Sequence, residues 1–337
     1  MPQKKTQVKS HYDGMKACAF SQYRRKVKVM KKEKGSKNTW KNDFGMNWSL
    51  YLLFLPVAIF FIVFHYLPMF GIIMAFQDFR PAAGFLRSEW VGFRFFIEFF
   101  TGPTFWQILR NTVVISMLTI FVGTFFSVLF SMLLNEIKYS KLKRTFQTLS
   151  FMPHFVSAVV VAGLIIEFTS SHGIITSALV NILGMERQNM LTNPNFFWGI
   201  NLGADLWQGI GSGSIIFLAT ISNVSQEHQE AAAIDGANRL QRAWHITLPA
   251  LMPIIAILLT LSIGRALSVG ADRILLIYNP AIFSTADVIS THVARMGVFG
   301  MQFSYAAAVG FFNSVVGIML LLTANRASKR LANTSIF

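Results

Sequence analysis

Apolar residues run along this chain in long blocks, at 49–76, 112–135, 148–169, 196–221, 247–269 and 303–325. Each block reaches the ~20 residues that a helix needs to cross the hydrocarbon core of a bilayer. A helix satisfies its backbone hydrogen bonds within one segment, so the pattern predicts an all-α membrane protein with six transmembrane helices. Pro68 is expected to kink or end the first span, leaving 69–76 near the outer interface. The polar stretches divide the chain into an N-terminal tail at 1–48, a six-helix domain at 49–325 with a polar loop at 222–249, and a short tail at 326–337.

Composition supports this division and charge orients it. Of the 337 residues 53% are hydrophobic and 13% charged, and 33 are Phe, outside the usual range of soluble domains. Residues 1–41 hold 13 of the 30 Lys and Arg; Lys138, Lys141, Lys143 and Arg144 follow the second span, Arg239 and Arg242 lie in the polar loop, and Arg326, Lys329 and Arg330 end the chain. Basic residues accumulate on cytoplasmic flanks, which places both termini and the 222–249 loop inside. Arg80, Arg87, Arg94, Arg110, Arg187, Arg273 and Arg295 fall in outer segments, where Asp78, Glu89, Glu98, Glu186, Asp272 and Asp287 largely balance them. The net charge of +15 sits beside a membrane anchor, so anionic lipid rather than nucleic acid is its expected partner. Trp40, Phe44 and Trp48 suit an aromatic belt, and composition leaves open whether the tail is disordered or an interfacial helix. The apolar run is too long for a secretory signal, and the single cysteine, Cys18, excludes an internal disulfide.

The polar loop has its own logic. Glu227 and Glu230 begin a helix-favouring run with Ala231, Ala232 and Ala233, and Asp235-Gly236 stops it, Gly serving the left-handed conformation. A second short helix is expected from Asn238, carrying Arg239 and Arg242 on a polar side, before Pro249 and Pro253 open the next apolar run. The small Ala side chains permit close approach by another surface.

Catalytic chemistry is not visible. No Walker A pattern occurs, so the chain shows no phosphate loop for an ATP site of its own. The seven His residues have no metal-ligand spacing, and His65 and His154 read as hydrogen-bonded packing residues. Polar groups inside spans are costly and tend to face a wet cavity or a protein interior. The fourth span is richest, with Asn201, Asp205, Trp207, Gln208 and Ser212, and with Gly203, Gly209, Gly211 and Gly213 allowing close helix contacts. Asp205, Gln208 and Ser212 share a helical face, and Trp207 with Gln208 offers an aromatic surface and hydrogen bonds to a sugar. Joining the fourth span to a partner helix is the competing role for these groups. Arg265 in the fifth span requires a counter-charge or water, and Asn313 marks the sixth.

The loop places Glu230-Ala231-Ala232, three residues, Gly236, nine residues, Ile246, one residue and Leu248-Pro249 in that order. This resembles at every fixed position the EAA loop of binding-protein-dependent ABC importer permeases. From Tyr66, the stretch YLPMFGIIMAFQDFRPAAGFLRSEWVGF is similar to the first span and outer loop of carbohydrate-uptake permeases of the LplB polysaccharide-transport group. The resemblance implies the type I importer permease (MetI/MalF-like) fold in a bacterial cytoplasmic membrane. It further implies a second homologous permease subunit, two cytoplasmic ATPase subunits carrying ATP and Mg, and an extracytoplasmic solute-binding protein. The chain itself would bind no cofactor. Glu230, Ala231, Ala232, Asp235, Gly236, Arg239, Ile246, Leu248 and Pro249 would then couple to the ATPase, and the cargo would be an oligosaccharide, acidic ones such as uronate oligomers included. Many relatives carry Pro near Ser225 and Tyr where this chain has Gln229. A secondary transporter would be expected to show inverted repeats and ion-coupling carboxylates, and a membrane enzyme a catalytic constellation; a permease for another solute class is the remaining alternative.

Overall fold

The computed structural model describes residues 44–45, 47–268 and 271–332, so most of the basic tail, Trp40 and Cys18 included, lies outside the described residues. The chain divides into two compact units at Phe70/Gly71. In the first, helix α1 (Trp48–Phe61) continues through a π-helical turn at Ile62–Tyr66 and a last α-turn at Leu67–Met69. It tightens to a 3-10 helix at Phe70–Phe76, two residues after Pro68. Pro56 sits inside α1, which a lipid-embedded helix tolerates.

The second unit opens with a two-residue hairpin, β1 (Gln77–Asp78) antiparallel to β2 (Glu89–Trp90), and a short amphipathic helix α2 (Arg94–Thr101). The second span is α3 (Phe105–Met117) and α4 (Gly123–Glu136), joined without a break by a π-helical turn at Leu118–Val122. It starts seven residues before its apolar run because the polar groups there have partners. Asn111 donates to the carbonyls of Ser284 and Asp287, and Arg110 to that of Ser284.

The expected third span at 148–169 is not one helix. Helix α5 (Ser140–Phe151) ends at a 3-10 turn, Met152–Phe155, because Pro153 lacks an N–H to continue it. A new helix, α6 (Ala158–Thr169), starts where the Ser157 hydroxyl accepts from Val160 N–H, and α7 (Ile174–Leu183) follows. The apolar stretch long enough to cross a membrane is therefore Ala158–Leu183. The other such stretches are Trp48–Phe76, Phe105–Glu136, Arg239–Gly264 and Phe303–Arg330.

The remaining long helix, α8 (Pro194–Ser222), has 29 residues, about 43 Å at 1.5 Å per residue, and is capped by Asn193. It is long enough to span but its Asn, Asp, Gln and Gly content lowers its hydropathy, which protein packing on several sides accommodates. A Cβ at Gly213 would lie 2.6 Å from Ser127 Oγ of α4, and one at Gly211 2.0 Å from Ser150 O of α5. These two glycines set the close crossings; Gly203 and Gly209 face open space and do not. The polar loop carries α9 (Gln226–Ile234) and α10 (Arg239–Arg242), and beyond it come α11 (Leu248–Gly264), α12 (Ala271–Ile277), α13 (Ile289–Ala294) and α14 (Phe303–Ala332). The expected fifth span ran to 269; its helix stops at Gly264 and the chain turns through a 3-10 segment, Ala266–Ser268.

Three buried clusters hold this unit. Phe197 and Ile274 centre one that joins α3, α6, α8 and α12. Phe99, Ile108 and Val309 join α2, α3 and α14. Val128, Phe217, Ile221 and Leu251 join α4, α8 and α11, directly above the loop that links the last two.

Candidate functional site

The loop forms the helix-turn-helix its residues predict. Helix α9 (Gln226–Ile234) ends as Gly236 takes φ +82°, with Ala237 N–H returning to the Ala232 carbonyl and Asp235 N–H to that of Ala231. Helix α10 (Arg239–Arg242) starts in a capping box: the Asn238 side chain accepts from Gln241 N–H, and the Gln241 side chain accepts from Asn238 N–H. A π-helical turn, Ala243–Thr247, then feeds α11, with Leu248 and Pro249 in its first turn.

This hairpin is braced internally while its outer surface stays open. Gln229 Nε2 donates to Thr247 Oγ1 (3.2 Å), Arg242 donates to the Gln229 carbonyl (3.4 Å), and Arg239 lies 3.9 Å from Glu136 at the end of α4. Gln229, at the departure from many relatives, is thus an internal brace. Glu230 is exposed, its carboxylate held by Gln226 Nε2 at 2.8 Å, and Ile234, Leu240 and Trp244 are exposed apolar side chains. Ala232, Asp235, Gly236 and Ile246 line a 380 Å³ concavity on the loop. A rigid, concave surface with apolar anchors has the form of a protein-docking site.

The second constellation lies on α8. Arg273 of α12, assigned by charge balance to an outer segment, is buried and reaches Asp205 Oδ1 at 2.6 Å and Asn201 Oδ1 at 2.8 Å, and Gln208 Oε1 at 3.2 Å. Thr119, in the π-helical turn of the second span, donates to Asp205 Oδ2 (2.8 Å), and Gln208 Nε2 donates to the Val156 carbonyl (3.1 Å). Four segments, α8 included, are thus tied together over about two turns of that helix. Arg265, the cation expected inside the fifth span, is instead exposed at the end of α11, without an ion pair among the described residues. The signal in the sequence is Asp205 itself, an acid inside a span that demands a cation.

Asp205, Gln208 and Ser212 line one cavity of 580 Å³ together with residues of α4, α11 and the Pro153 turn. Trp207 does not join them. It lines a separate apolar groove of 530 Å³ with Phe196, Ile200 and Phe168, so Trp207 and Gln208 do not face one ligand. Consecutive residues on a helix point about 100° apart, which is the physical reason. His65 and His154, expected to be hydrogen-bonded packing residues, are both exposed and make ring contacts instead, and His154 opens onto the 580 Å³ cavity. Asn313 donates weakly to Ser268 Oγ (3.4 Å), while its Oδ1 is buried without a partner.

A further ion pair sits in the segment before α14. Asp287 is buried and accepts from Arg295 at 2.6 and 3.2 Å and from the Thr291 hydroxyl at 2.9 Å, with His292 Nδ1 3.9 Å away. Burial alone would raise the Asp287 pKa, but His292, Arg295 and Thr291 outweigh it and hold the carboxyl below its usual range. Burial likewise opposes the Arg295 charge, and Asp287 overcomes it, raising that pKa.

An exposed, braced loop and a cavity lined in part by polar side chains, both built on one long helix, fit a membrane transport subunit of the permease class of ABC importers. The family model for the binding-protein-dependent transport system inner membrane component matches residues 120–329, and the chain belongs to that family. Protein LplB of Bacillus subtilis (strain 168) is 40% identical over 289 residues, 86% of this chain and 91% of that protein. The polygalacturonan/rhamnogalacturonan transport system permease protein YteP of the same organism is 40% identical over 86% of this chain and 90% of its own length. A solved bacterial ABC transporter involved in the import of the acidic polysaccharide alginate contains a chain with TM-score 0.80 and 37% identity, covering 88% of this chain and 99% of that one. Another solved structure shows the bacterial alginate transporter in complex with an alginate pentasaccharide-bound periplasmic protein, with TM-score 0.80, 36% identity and coverage of 88% and 100%.

Proposed function

We propose that this chain is the membrane subunit of an ATP-driven importer of oligosaccharides released from acidic polysaccharides. It works beside a second homologous permease subunit, with two ATPase subunits supplying ATP and Mg chemistry and an extracytoplasmic binding protein delivering the cargo. Both termini and the 222–249 loop lie on the cytoplasmic side of a bacterial cytoplasmic membrane. Glu230, Ala231, Ala232, Asp235 and Gly236 enter the ATPase cleft; Arg239, Ile246, Leu248 and Pro249 carry its movement into α11, and α8 carries it to Asp205, Gln208 and Ser212. Closing and parting of the ATPases then rocks the helices between outward- and inward-open states around the cavity.

The observation that carries this reading is that one continuous helix, α8, both lines the polar cavity and leads directly into the exposed hairpin. A cavity that presents hydroxyl, amide, imidazole and carboxylate groups suits a polyhydroxylated cargo, and the polysaccharides for which the similar proteins are named, polygalacturonan, rhamnogalacturonan and alginate, are acidic. Reconstitution of the complex in liposomes with its binding protein tests it. Labelled oligouronate should accumulate only with ATP and binding protein present; accumulation driven by an ion gradient without ATP would refute the importer reading.

A further inference from the structure

The polar groups of the 580 Å³ cavity fall into two sets. Thr119, Asp205 and Gln208 are already committed, to one another, to Arg273 or to the Val156 carbonyl. Thr124, Ser127, His154 and Ser262 line the same cavity, yet the side chain of none of them hydrogen-bonds to another described residue. Their bonding capacity faces the cavity. Polar groups at a cavity wall in lipid gain stability when a ligand satisfies them, so the uncommitted set marks where a ligand's own donors and acceptors belong.

Charge divides the wall in the same way. Asp205 is the only acid among the lining residues, and Arg273 at 2.6 Å compensates its charge. Arg273 does not line the cavity, and its guanidinium is spent on Asn201, Asp205 and Gln208. His154 is then the only basic side chain on the lining. Its position follows from the chain: Pro153 stops α5, the 3-10 turn Met152–Phe155 turns the imidazole out of the helix, and the ring stacks on Phe151 at 5.8 Å and 19°. The same break frees the Val156 carbonyl to hold Gln208. Imidazole supplies an N–H donor, charged when protonated, and a carboxylate is its complementary acceptor.

We infer that His154 binds the carboxylate of the cargo, with Thr124, Ser127 and Ser262 holding the neighbouring sugar hydroxyls, so that this cavity selects the free acid over an uncharged sugar of the same size. The assignment rests on the oligosaccharide-import reading above. It gives the cargo's negative charge a partner that the Asp205–Arg273 pair does not provide.

The test is uptake by the complete complex in liposomes, at saturating binding protein, of a short oligogalacturonate and of its methyl ester, which keeps the hydroxyls and removes the charge. The parent complex should favour the free acid. His154→Gln should lower the acid-to-ester ratio roughly tenfold, the scale of one charge-assisted hydrogen bond, with uptake of the acid falling much further than uptake of the ester. His154→Lys, which restores a cation, should hold the ratio within about threefold of the parent. Ser262→Ala should lower uptake of both and leave the ratio unchanged. A parental ratio in His154→Gln, or an equal fall for acid and ester in both His154 variants, overturns the assignment alone. Failure of the parent complex to take up either sugar overturns the import reading and this assignment with it.

Discussion

Arg273→Met tests whether the Asp205 network holds the helices together. The substitution roughly keeps the length of the side chain and removes the guanidinium donors that now meet Asp205, Asn201 and Gln208. Removing one partner of a buried ion pair costs about 3–5 kcal/mol, mostly because the other charge stays behind without compensation. Asp205 retains the Thr119 hydroxyl at 2.8 Å and the Asn201 amide at 3.3 Å, and its side chain is 23% exposed. The lower end, about 3 kcal/mol, is therefore expected. Asp205→Asn keeps an amide oxygen that can still accept but leaves the Arg273 guanidinium, whose side chain is 9% exposed, without a counter-charge, and should likewise cost about 3 kcal/mol. The double variant leaves no orphaned charge, so it should be more stable than the sum of the single effects predicts, by about 2 kcal/mol. Equilibrium unfolding of the purified subunit in mixed detergent, read by helical circular dichroism, measures all four corners of the cycle. Additive effects within about 0.5 kcal/mol would refute the claim that these side chains form one electrostatic unit.

Gly236→Val should abolish cargo-stimulated ATP hydrolysis without preventing membrane insertion; the site has open space for a side chain, but φ +82° excludes a β-branched residue, and hydrolysis at the parental rate would refute the turn argument. Asp287→Asn should destabilise the protein at pH 7 by an amount that shrinks in acid. With the folded pKa below the unfolded value of ~3.9, the stabilisation is full above that value and lost as pH falls through the depressed folded pKa. Unfolding midpoints of parent and variant measured from pH 7 down to pH 3 should converge only at the acid end, and a gap constant across that range would sink the idea. Gln208→Ala should lower cargo-stimulated transport more than Trp207→Ala, because Gln208 lines the polar cavity while Trp207 faces the apolar groove; equal effects in a liposome uptake assay would show that the separation of the two walls does not matter.

Local signals were legible where local chemistry decides the structure. Asp235-Gly236 and Asn238 set a turn and a cap by backbone preference alone, and the hairpin forms where they stand. The shared face of Asp205, Gln208 and Ser212 follows from helical periodicity, and all three do meet one cavity. Hydropathy misled at 148–169, since an average over the run does not register Pro153, and a single missing N–H redirects the chain. It also placed Arg273 outside, because charge counts assign a residue to a side of the membrane and say nothing of a short helix folding back into the bundle. The pairing of Arg273 with Asp205 spans 68 positions and is settled by packing of α12 against α6 and α8, a contact that no local pattern encodes. The same holds for Gln229 with Thr247 across the loop.

The way the loop is braced bears on how force reaches the cavity. A hairpin that hinged at Gly236 would absorb a push from a partner as bending. Here Gln229 reaches across to Thr247, Arg242 reaches back to the Gln229 carbonyl, and Arg239 faces Glu136 of α4, so α9 and α10 are tied to each other and to the end of another span. On the coupling role proposed for the loop, movement at Glu230 would reach these helices together. On the α8 side nothing intervenes between the loop and Asp205 except 17 residues of unbroken helix, about 26 Å, without an internal proline. On the α11 side the path crosses a π-helical turn and Pro253, both of which loosen the intrahelical bonding. The stiffer route runs through α8, and it ends on the side chains that Arg273 clamps. The Asp205–Arg273 pair therefore sits where motion of the loop arrives at the cavity wall, which makes it the point at which rocking of α8 must either carry α12 along or break the 2.6 Å contact.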